Sequence, residues 1–312
     1  MNMIDIYKPD RKMTEILSEN RFTVSAEVIP PRNGTPHTEI IHQISELISS
    51  GTEFLSVTKG AGGSLRGGSL PIAQVIKDHF KKPAIAHFTC RDLTPAEVEN
   101  QLMDHHYFGI RNILALRGDP PQGVTDWVPN PASYPYAFQL IEQIKKLNAG
   151  DFLQRSGFET KNPVQTDFCI GAAAYPDETT PEARVDHFKL KVQAGAEYGI
   201  TQMIFDVESY SRFLDELEKK SCSVPILPGF RILKTKSQAI KMRDRFQISM
   251  PKKLIDALPE TENPNLSLDI FMKLVEDFRA AGAPGLHVFV LSDLALSCGL
   301  ISHLGKRTSA KK

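Results

Sequence analysis

The sequence predicts a single-domain α/β fold, a (β/α)8 TIM barrel, and three observations predict it. Eight short apolar runs alternate with helical runs along 312 residues, a length typical of this barrel. The runs ILAL at 113–116 and VFVL at 288–291 are continuously apolar, as expected of parallel strands that are buried on both faces. The first apolar run is followed by PPRNG at 30–34, where an open dinucleotide-binding sheet would place G-x-G-x-x-G.

The first four strands and their helices follow in order. Strands are predicted over 22–29, 54–58, 84–89 and 112–117, because these short runs are apolar and rich in β-forming residues. Helices are predicted over 37–50, 70–80, from Thr94 onward, and over 136–147. The third of these helices has the clearest start, since Thr94-Pro95-Ala96-Glu97 combines a capping box with proline at the first helical position.

The second half of the chain repeats the alternation. Strands are predicted over 167–174, 200–206, 224–227 and 285–291, and helices over 180–195, 209–220, 237–246, 267–281 and 293–304. No boundary divides this pattern into two domains. We expect an N-terminal extension or helix over 1–21, the catalytic barrel over 22–305, and a basic, disordered tail over 306–312.

Composition excludes several classes of protein. Lys plus Arg and Asp plus Glu both number 37, and this balance argues against a nucleic-acid or membrane-surface protein. The first 23 residues have no apolar core, so a signal peptide is not expected, and no apolar stretch is long enough for a transmembrane helix. The four cysteines form no C-x-x-C pair, which predicts reduced thiols in a cytoplasmic protein.

Polar residues and glycines recur where the predicted strands end, and in this fold the active site forms at the carboxyl ends of the strands. In chain order these ends carry Glu27, Thr58-Lys59-Gly60, His87, Arg117-Gly118-Asp119, Tyr175-Pro176, Gln202 with Asp206, Pro228-Gly229, and His287 with Ser292. Such a ring predicts a site around one mouth of the barrel.

Glu27 is the sharpest single signal in this ring. It interrupts an apolar strand and has the opposite parity to Val24, Ala26 and Val28. Burial of a carboxylate is costly and raises its pKa, which would leave Glu27 protonated near neutral pH and suited to general acid work. A structural glutamate satisfied by an arginine or a backbone amide is the alternative.

Other signals are weaker. The glycine-rich segment at 60–68 matches neither the dinucleotide motif nor the P-loop, and it predicts a mobile or ligand-contacting loop. His87 and Cys90 are three residues apart, but no second pair has zinc-ligand spacing, so no metal is expected. His105 and His106 fall on a predicted helix, and we expect them at its solvated surface.

Seven motifs together resemble the methylenetetrahydrofolate reductase family. In chain order they are AEVIPPR, SVTKGAG, HFTC, LALRGDPP, AAYPD, FKLKVQAGAEYGITQMIFD and LPG. The similarity covers about 22–304, and LALRGDPP is among its most specific parts. The resemblance implies a (β/α)8 flavoprotein of one-carbon metabolism and methionine biosynthesis. Such an enzyme holds FAD, takes electrons from NADH or NADPH, and reduces 5,10-methylenetetrahydrofolate to 5-methyltetrahydrofolate.

The resemblance also implies roles for individual residues. Glu27 matches the family's catalytic acid, which would protonate folate N10. Asp119 matches the aspartate beside flavin and pterin, which would stabilise the cationic folate. Gln202 matches a residue that contacts the folate or the nicotinamide. The residues that match FAD-binding positions are Thr58, His87, Arg117, Gly118, Tyr175 and Lys191.

The chain departs from the family pattern at several positions near the predicted mouth. Lys59 stands where tyrosine is common, and Arg184 aligns with a usual aspartate. Asp293 ends the segment VLSD at 290–293, where the family usually reads TLNR. These changes bear on the FAD tail, the folate contacts and the electron donor.

Two alternative functions stay open at this point. One is a flavin-free pterin-binding methyltransferase barrel, although the chain lacks the cysteine-pair zinc motifs of the homocysteine-using kind. The other is a partner-dependent reductase subunit that takes electrons from an iron–sulfur protein. The chain has no cluster-type cysteine spacing, so that cluster would belong to the partner. A homo-oligomer is compatible with the exposed helix faces, and no nucleic-acid or membrane partner is expected.

Overall fold

The computed structural model describes residues 8–19, 21–154, 156–157, 161–177, 180, 182–291 and 293–309, apart from the side chains of 182 and 306–309. Its strands pair in parallel with their neighbours and close into a barrel in the order β1 to β8. They are β1 (Thr23–Val28), β2 (Phe54–Val57), β3 (Ala84–Thr89), β4 (Asn112–Leu116), β5 (Cys169–Ala174), β6 (Tyr198–Met203), β7 (Ile226–Phe230) and β8 (Gly285–Phe289). The predicted single-domain (β/α)8 barrel is confirmed.

Helices follow the strands as predicted, with two additions. Over the described ranges the α-helices are α1 (Met13–Leu17), α2 (Thr38–Ser49), α3 (Ser69–Asp78), α4 (Pro95–Tyr107), α5 (Ala137–Asn148), α6 (His187–Ala194), α7 (Val207–Lys219), α8 (Lys236–Phe246), α9 (Lys252–Ala257), α10 (Pro264–Ala280) and α11 (Leu294–Ser309). Helix α9 was not predicted. Helix α1 lies in the segment expected to be an extension or a helix, of which residues 1–7 and 20 fall outside the described ranges.

Several predicted boundaries differ from the observed ones, and three of them lie near the mouth. The Pro228-Gly229 pair suggested a strand end, but β7 continues to Phe230. A Cβ at Gly229 would lie 2.5 Å from the Phe289 ring, so glycine serves packing here and not a turn. Strand β6 stops at Met203, after an irregular register with β7. The helix expected from 180 begins with a π-helical turn, Glu182–Asp186, and becomes regular only in α6.

Helix α1 closes the amino end of the barrel. Its apolar residues Met13, Ile16 and Leu17 are buried, and the Met13 N–H donates to Asn112 Oδ1 at the start of β4 (2.8 Å). The layer of barrel residues that it packs against comprises Phe54, Ile85, Leu114, Cys169, Tyr198, Ile200 and Leu227. Because this end is filled, a ligand site must use the carboxyl ends of the strands, as is usual for the fold.

The predicted tail, 306–312, overlaps the end of α11. Its side chains lie outside the described residues, and its disorder stays a prediction. None of the helices in the described ranges is long and apolar enough to cross a membrane.

Helices α8 and α9 extend from the mouth of the barrel. Helix α10 packs against α7 and α11, so α10 and not α8 fills the seventh place in the outer ring. We call residues 231–258 the α8–α9 segment. It is tied to two strand ends: Gln238 Nε2 donates to Asp293 Oδ2 beyond β8 (3.4 Å), and the Ser249 N–H donates to Asp177 Oδ2 beyond β5 (3.2 Å). The segment therefore lies on the rim of the mouth.

Candidate active site

Glu27 and His87 face each other inside the barrel. Their strands, β1 and β3, are separated by β2, yet Glu27 Oε2 and His87 Nε2 are 3.6 Å apart. Two side chains can meet across an intervening strand only if both point inward. Their exposed fractions are 12% for Glu27 and 8% for His87. Glu27 thus lies on the inner face of the barrel, with the opposite parity to Val24, Ala26 and Val28.

Burial keeps both groups uncharged near neutral pH. Desolvation raises the pKa of Glu27 to about 8 and lowers the pKa of His87 to about 3, because it penalises the charged form of each group. Within the described residues, neither an arginine nor a backbone amide offsets this effect at Glu27. The carboxyl therefore carries a proton at pH 7, which is the state that a general acid requires.

A second buried histidine, His287, lies inside the barrel near Glu27 and His87. His287 Nδ1 lies 2.7 Å from Ser25 Oγ, and His287 Nε2 lies 3.2 Å from Ser56 Oγ. Ser25 Oγ also donates to the Leu286 carbonyl at 2.9 Å, so its one hydrogen is used and His287 Nδ1–H must be the donor to it. Nε2 then accepts from Ser56. Burial and the nearby His87 lower the pKa of His287 to about 3, so His287 is uncharged near neutral pH.

Two buried polar atoms of the predicted site residues have no hydrogen-bond partner within the described residues. They are Thr58 Oγ1 and His87 Nε2. The Thr58 N–H donates to the Val28 carbonyl (3.1 Å), which holds Thr58 level with the end of β1. Buried polar groups in folded proteins are nearly always paired, so these two atoms fit a site that pairs them with a ligand.

The loop after β4 is joined to the glycine-rich turn after β2. Asp119 Oδ2 accepts from the Gly62 N–H at 2.9 Å, and the Gln122 N–H donates to the Gly63 carbonyl at 3.0 Å. A Cβ at Gly63 would lie 1.8 Å from the Pro120 carbonyl oxygen. The expected mobile or ligand-contacting loop is therefore packed closely here against the predicted flavin-binding segment.

Arg117 and Gly118 come directly before Asp119 in the chain. Arg117 is exposed at the end of β4, where its guanidinium is available to an anion. Gly118 has φ +96°, and a Cβ there would meet Arg91 and Thr89 Cβ atoms at 3.0 and 3.1 Å. Glycine is thus required by both backbone conformation and space.

A second cationic group stands at the end of β5. Lys191 Nζ donates to the Ala173 carbonyl at 2.8 Å and lies 5.1 Å from the centre of the Tyr175 ring. Tyr175 directly follows β5 and is 43% exposed. Gln202 is exposed on β6, and its Oε1 accepts from the Met203 N–H at 2.9 Å. All predicted site residues lie at this end of the barrel. Between predicted site residues that are distant in sequence, the contacts include Glu27–His87 and Tyr175–Lys191.

Lys59 does not face the mouth. Its Nζ donates to Gln101 Oε1 of α4 at 2.6 Å and lies 4.2 Å above the Phe88 ring. Burial lowers the pKa of Lys59 to about 8. His105 shares this region, with Nδ1 2.6 Å from the Gln101 carbonyl. The expected solvated position of His105 is wrong: it continues the buried stripe of α4 that begins with Val98 and Leu102.

The other two family departures are ion-paired. Arg184 makes a bidentate contact with Glu216 of α7, at 2.7 to 3.0 Å. Asp293 is bound by Arg231 and by Lys234, whose Nζ is 3.0 Å from Oδ1. Burial alone would raise the pKa of Asp293, but these two cations outweigh it and the pKa is lowered. Asp293 is thus a neutralised carboxylate on the rim.

Asp177 is a rim residue that sequence reasoning missed. Its Oδ1 is buried without a hydrogen-bond partner in the described residues, while Oδ2 holds Ser249. Burial, with Asp206 adding to it, raises the pKa of Asp177 to about 6. Its position directly after Tyr175-Pro176 was the available signal. Among the described residues no group of three or more metal-ligating side chains converges.

Comparisons with known proteins agree with this arrangement. A family model described as methylenetetrahydrofolate reductase matches residues 12–305. A 5,10-methylenetetrahydrofolate reductase of Escherichia coli is 31% identical over 299 residues, which is 93% of each chain. Methylenetetrahydrofolate reductase 1 of Schizosaccharomyces pombe is 27% identical over 284 residues. There the alignment covers 88% of this chain but 44% of the yeast protein, so the chain spans less than half of that relative.

A solved structure shares the fold. It is an uncharacterized protein from Clostridium thermocellum that binds two copies of 5-methyl-5,6,7,8-tetrahydrofolic acid. Its TM-score is 0.60 at 17% sequence identity, and the match covers 95% of this chain and 100% of that one. At this identity the likeness supports the fold alone. The family model and the E. coli relative both extend over nearly the whole barrel. The chain therefore belongs to the methylenetetrahydrofolate reductase family.

Proposed function

We propose that the chain reduces 5,10-methylenetetrahydrofolate to 5-methyltetrahydrofolate, with FAD as its flavin and NADH or NADPH as reductant. The observation that carries the proposal is a protonated carboxyl, Glu27, held beside a neutral histidine at the mouth of a barrel of this family. A rice relative, 25% identical, is named a probable methylenetetrahydrofolate reductase (NADH), which supports a nicotinamide reductant.

The residues at the mouth fit an FAD group. Thr58 Oγ1 and His87 Nε2 are buried atoms in need of partners, and Gly118 leaves no room for a side chain where the backbone must come close. Arg117 and Lys191 would hold the phosphates, with Tyr175 beside them. When bound, FAD supplies the hydride carrier between the nicotinamide and the folate.

The chain's own residues manage protons and charge. Glu27 gives its proton to folate N10, which opens the five-membered ring and leaves a cationic one-carbon unit. Asp119 stabilises that cation, a form of electrostatic stabilisation that is often the larger catalytic contribution. Gln202 orients the folate or the nicotinamide. The overall reaction consumes one proton and one hydride equivalent per folate reduced.

The deciding experiment is the visible absorption spectrum of the purified protein during anaerobic additions. A flavin band that NADH or NADPH bleaches and methylenetetrahydrofolate restores would establish both half-reactions. A flavin band that neither nucleotide bleaches would move the electron donor to a protein partner, such as an iron–sulfur protein. A colourless protein that FAD does not reconstitute would contradict the proposal and favour a flavin-free pterin methyltransferase.

The proposal also includes a cytoplasmic location and a possible homo-oligomeric state. The four cysteines, Cys90, Cys169, Cys222 and Cys298, are free thiols, in keeping with the proposed cytoplasmic location. Light scattering of the purified chain would test for a homo-oligomer.

A further inference from the structure

A long connection separates β4 from α5. Residues 117–136 contain no helix or strand, and none of them is buried. We call them the β4 loop, and Asp119 lies near its start. Loops of this length without secondary structure are uncommon in compact domains and are usually functional. Because no buried side chain fixes the β4 loop, its shape depends chiefly on hydrogen bonds to neighbouring loops.

The middle of the β4 loop is bound by Asp92, which lies in the turn after β3. Trp127 Nε1 donates to Asp92 Oδ2 at 3.2 Å, and the Asn130 N–H donates to Asp92 Oδ1 at 3.1 Å. Asn130 Nδ2 also donates to the Asp92 carbonyl at 3.4 Å. We call these three hydrogen bonds the Asp92 clasp. Both carboxylate oxygens are thus engaged with the same loop, and hydrogen bonds to a carboxylate are stronger than those between neutral groups.

Asp92 has a backbone conformation that residues other than glycine seldom adopt. Its φ is +59°, in the left-handed region, where aspartate and asparagine are tolerated better than most other residues. Such conformations are unfavourable and persist where the surrounding contacts hold them. The chain therefore accepts a strained turn at the residue whose side chain holds the β4 loop.

The turn after β3 also holds the start of the β4 loop, but by other contacts. The Arg91 N–H donates to the Arg117 carbonyl at 2.8 Å, and a Cβ at Gly118 would lie 3.0 Å from the Arg91 Cβ. Neither contact uses the Asp92 side chain. The placement of the predicted flavin-binding residues Arg117 and Gly118 is therefore independent of the Asp92 clasp.

Asp119 lies in the stretch that the Asp92 clasp closes. Its Oδ2 accepts from the Gly62 N–H at 2.9 Å, and farther along the loop Trp127 is held by Asp92. Residues 122–126 between them are all exposed, so this stretch is fixed near its two ends. A short segment that is tied at both ends has less freedom than a longer one. Loss of the Asp92 clasp would therefore loosen Asp119.

We propose that Asp92 is a positioning residue for the reduction of the folate. Through the Asp92 clasp it holds the β4 loop so that Asp119 keeps its place at the mouth. The inference rests on the proposed function, in which Asp119 stabilises the cationic folate. Asp92 acts through Asp119 and contacts neither the folate nor the flavin. Flavin binding and flavin reduction use Arg117, which other contacts hold, so these steps are independent of Asp92.

Asp92→Gly tests this role, because it removes both carboxylate oxygens and relieves the left-handed backbone. The folate step is measured by anaerobic stopped-flow, in which dithionite-reduced enzyme is mixed with methylenetetrahydrofolate. Its rate constant should fall roughly tenfold or more, since a misplacement of about 1 Å can lower a rate by about 10²-fold. Flavin content and the rate of flavin reduction by NADH or NADPH should stay within about twofold, because Asp92 serves the folate step alone.

A graded variant and a matched control accompany this test. Asp92→Asn keeps one acceptor oxygen and tolerates the same φ, so it should slow the folate step less than Asp92→Gly does. Ser221→Gly is the control, since Ser221 is exposed, has φ +55° and lies between α7 and β7 at the amino end of the barrel. It relieves the same backbone conformation far from the β4 loop and should keep the parental folate step.

The Asp92 clasp has its own reporter, because Trp127 is the single tryptophan of the chain. Acrylamide quenching of its fluorescence measures how exposed the indole is. Quenching should increase in Asp92→Gly and should stay parental in Ser221→Gly. Unchanged quenching in Asp92→Gly would contradict the clasp itself, whatever the kinetics show.

A double-mutant comparison decides whether Asp92 acts through Asp119. In an Asp119→Asn background, Asp92→Gly should slow the folate step little further, because the effects of coupled residues are not additive. Independent effects, parental folate reduction in Asp92→Gly, or an equal loss of flavin binding and of both half-reactions would overturn the positioning role. A parent protein that does not reduce methylenetetrahydrofolate would instead contradict the proposed function. If Asp92→Gly folds poorly, Asp92→Asn carries the same comparisons.

Discussion

At the scale of single residues, the central feature is a carboxyl and an imidazole that are both neutral. An isolated carboxylate inside a barrel would be costly, and the structure offers Glu27 no cation within hydrogen-bond reach among the described residues. Glu27 avoids that cost by keeping its proton. The neighbouring His87 avoids the corresponding cost by staying unprotonated.

Glu27→Gln should separate the two half-reactions. Glutamine keeps the size of the side chain but has no acidic proton, so flavin reduction by the nicotinamide should persist. Folate reduction should fall by about 10²-fold or more, the usual size of general acid catalysis. Anaerobic stopped-flow measurement of each half-reaction checks this. Glu218→Gln, an exposed glutamate in α7, is the control, and parental folate turnover in Glu27→Gln would remove Glu27 from the role.

Glu27 should also shape the dependence of stability on pH. Its pKa is about 8 in the fold and 4.5 ordinarily, so between these values the folded chain holds a proton that the unfolded chain has released. The free energy of unfolding should therefore decline as pH rises through this window. Relative to Glu27→Gln, the loss is at most about 5 kcal/mol, from about 1.4 kcal/mol per pKa unit.

Urea denaturation of both proteins at pH 6.5 and pH 8.5 measures the effect. Other buried groups, among them Asp10 and Asp177, titrate in both proteins, so the difference between the two isolates Glu27. Parallel pH profiles would show that Glu27 is already ionised at neutral pH.

At the scale of elements, the mouth is built by loops that fit one another. The turn after β2 and the loop after β4 are in contact through Gly63 and Pro120, and Asp119 holds the Gly62 N–H. The predicted flavin-binding segment thus depends on a neighbouring loop for its position. The two loops are separated in sequence by α3, β3, α4 and β4, so only the closed barrel brings them together.

Gly63→Ala and Gly62→Ala form a matched pair for this contact. Both glycines have positive φ, +71° and +63°, but a Cβ at Gly62 meets nothing within 4 Å whereas one at Gly63 would collide with Pro120. Both variants should lose about 1 kcal/mol to backbone strain. Gly63→Ala should lose roughly 1–3 kcal/mol more through overpacking and should retain less flavin after purification. Thermal denaturation and flavin content check this, and equal losses would contradict the contact.

At the scale of the whole molecule, the barrel is closed at one end and open at the other. Helix α1 fills the amino end through Met13, Ile16 and Leu17. The carboxyl end keeps Glu27 and His87 at its floor, and the α8–α9 segment on its rim. The end that α1 fills is thus packed with apolar side chains, whereas the open end holds the inward-facing polar pair.

Met13→Ala should measure what this closure contributes. Met13 is fully buried, and truncation of a buried methionine to alanine typically costs 2–5 kcal/mol. Met103→Ala, at a partly exposed position in α4, should cost less than about half as much. The midpoints of urea denaturation compare the two, and an equal cost would show that α1 is not part of the cooperative core.

Local sequence patterns were sufficient for much of the fold. Alternation of apolar runs with helical runs predicted eight strands in order, and the position of Glu27 within an apolar strand predicted a buried carboxyl with a raised pKa. Predictions failed where a distant partner decides the outcome. Gly229 is required within β7 because the Phe289 ring leaves no room for a side chain, and His105 is buried against Phe88 of the barrel wall behind α4.

The sequence by itself determined the barrel, the family, and the set of residues at the strand ends, because these follow from short-range periodicity and from motifs of contiguous residues. Tertiary structure alone decided which of these residues meet. It brought Glu27 to His87, turned Lys59 away from the mouth toward Gln101, and attached the α8–α9 segment to Asp177, 72 positions before Ser249. The physical reason is that ionisation and hydrogen bonding depend on solvent exposure and on partners from distant strands, which closure of the barrel alone supplies.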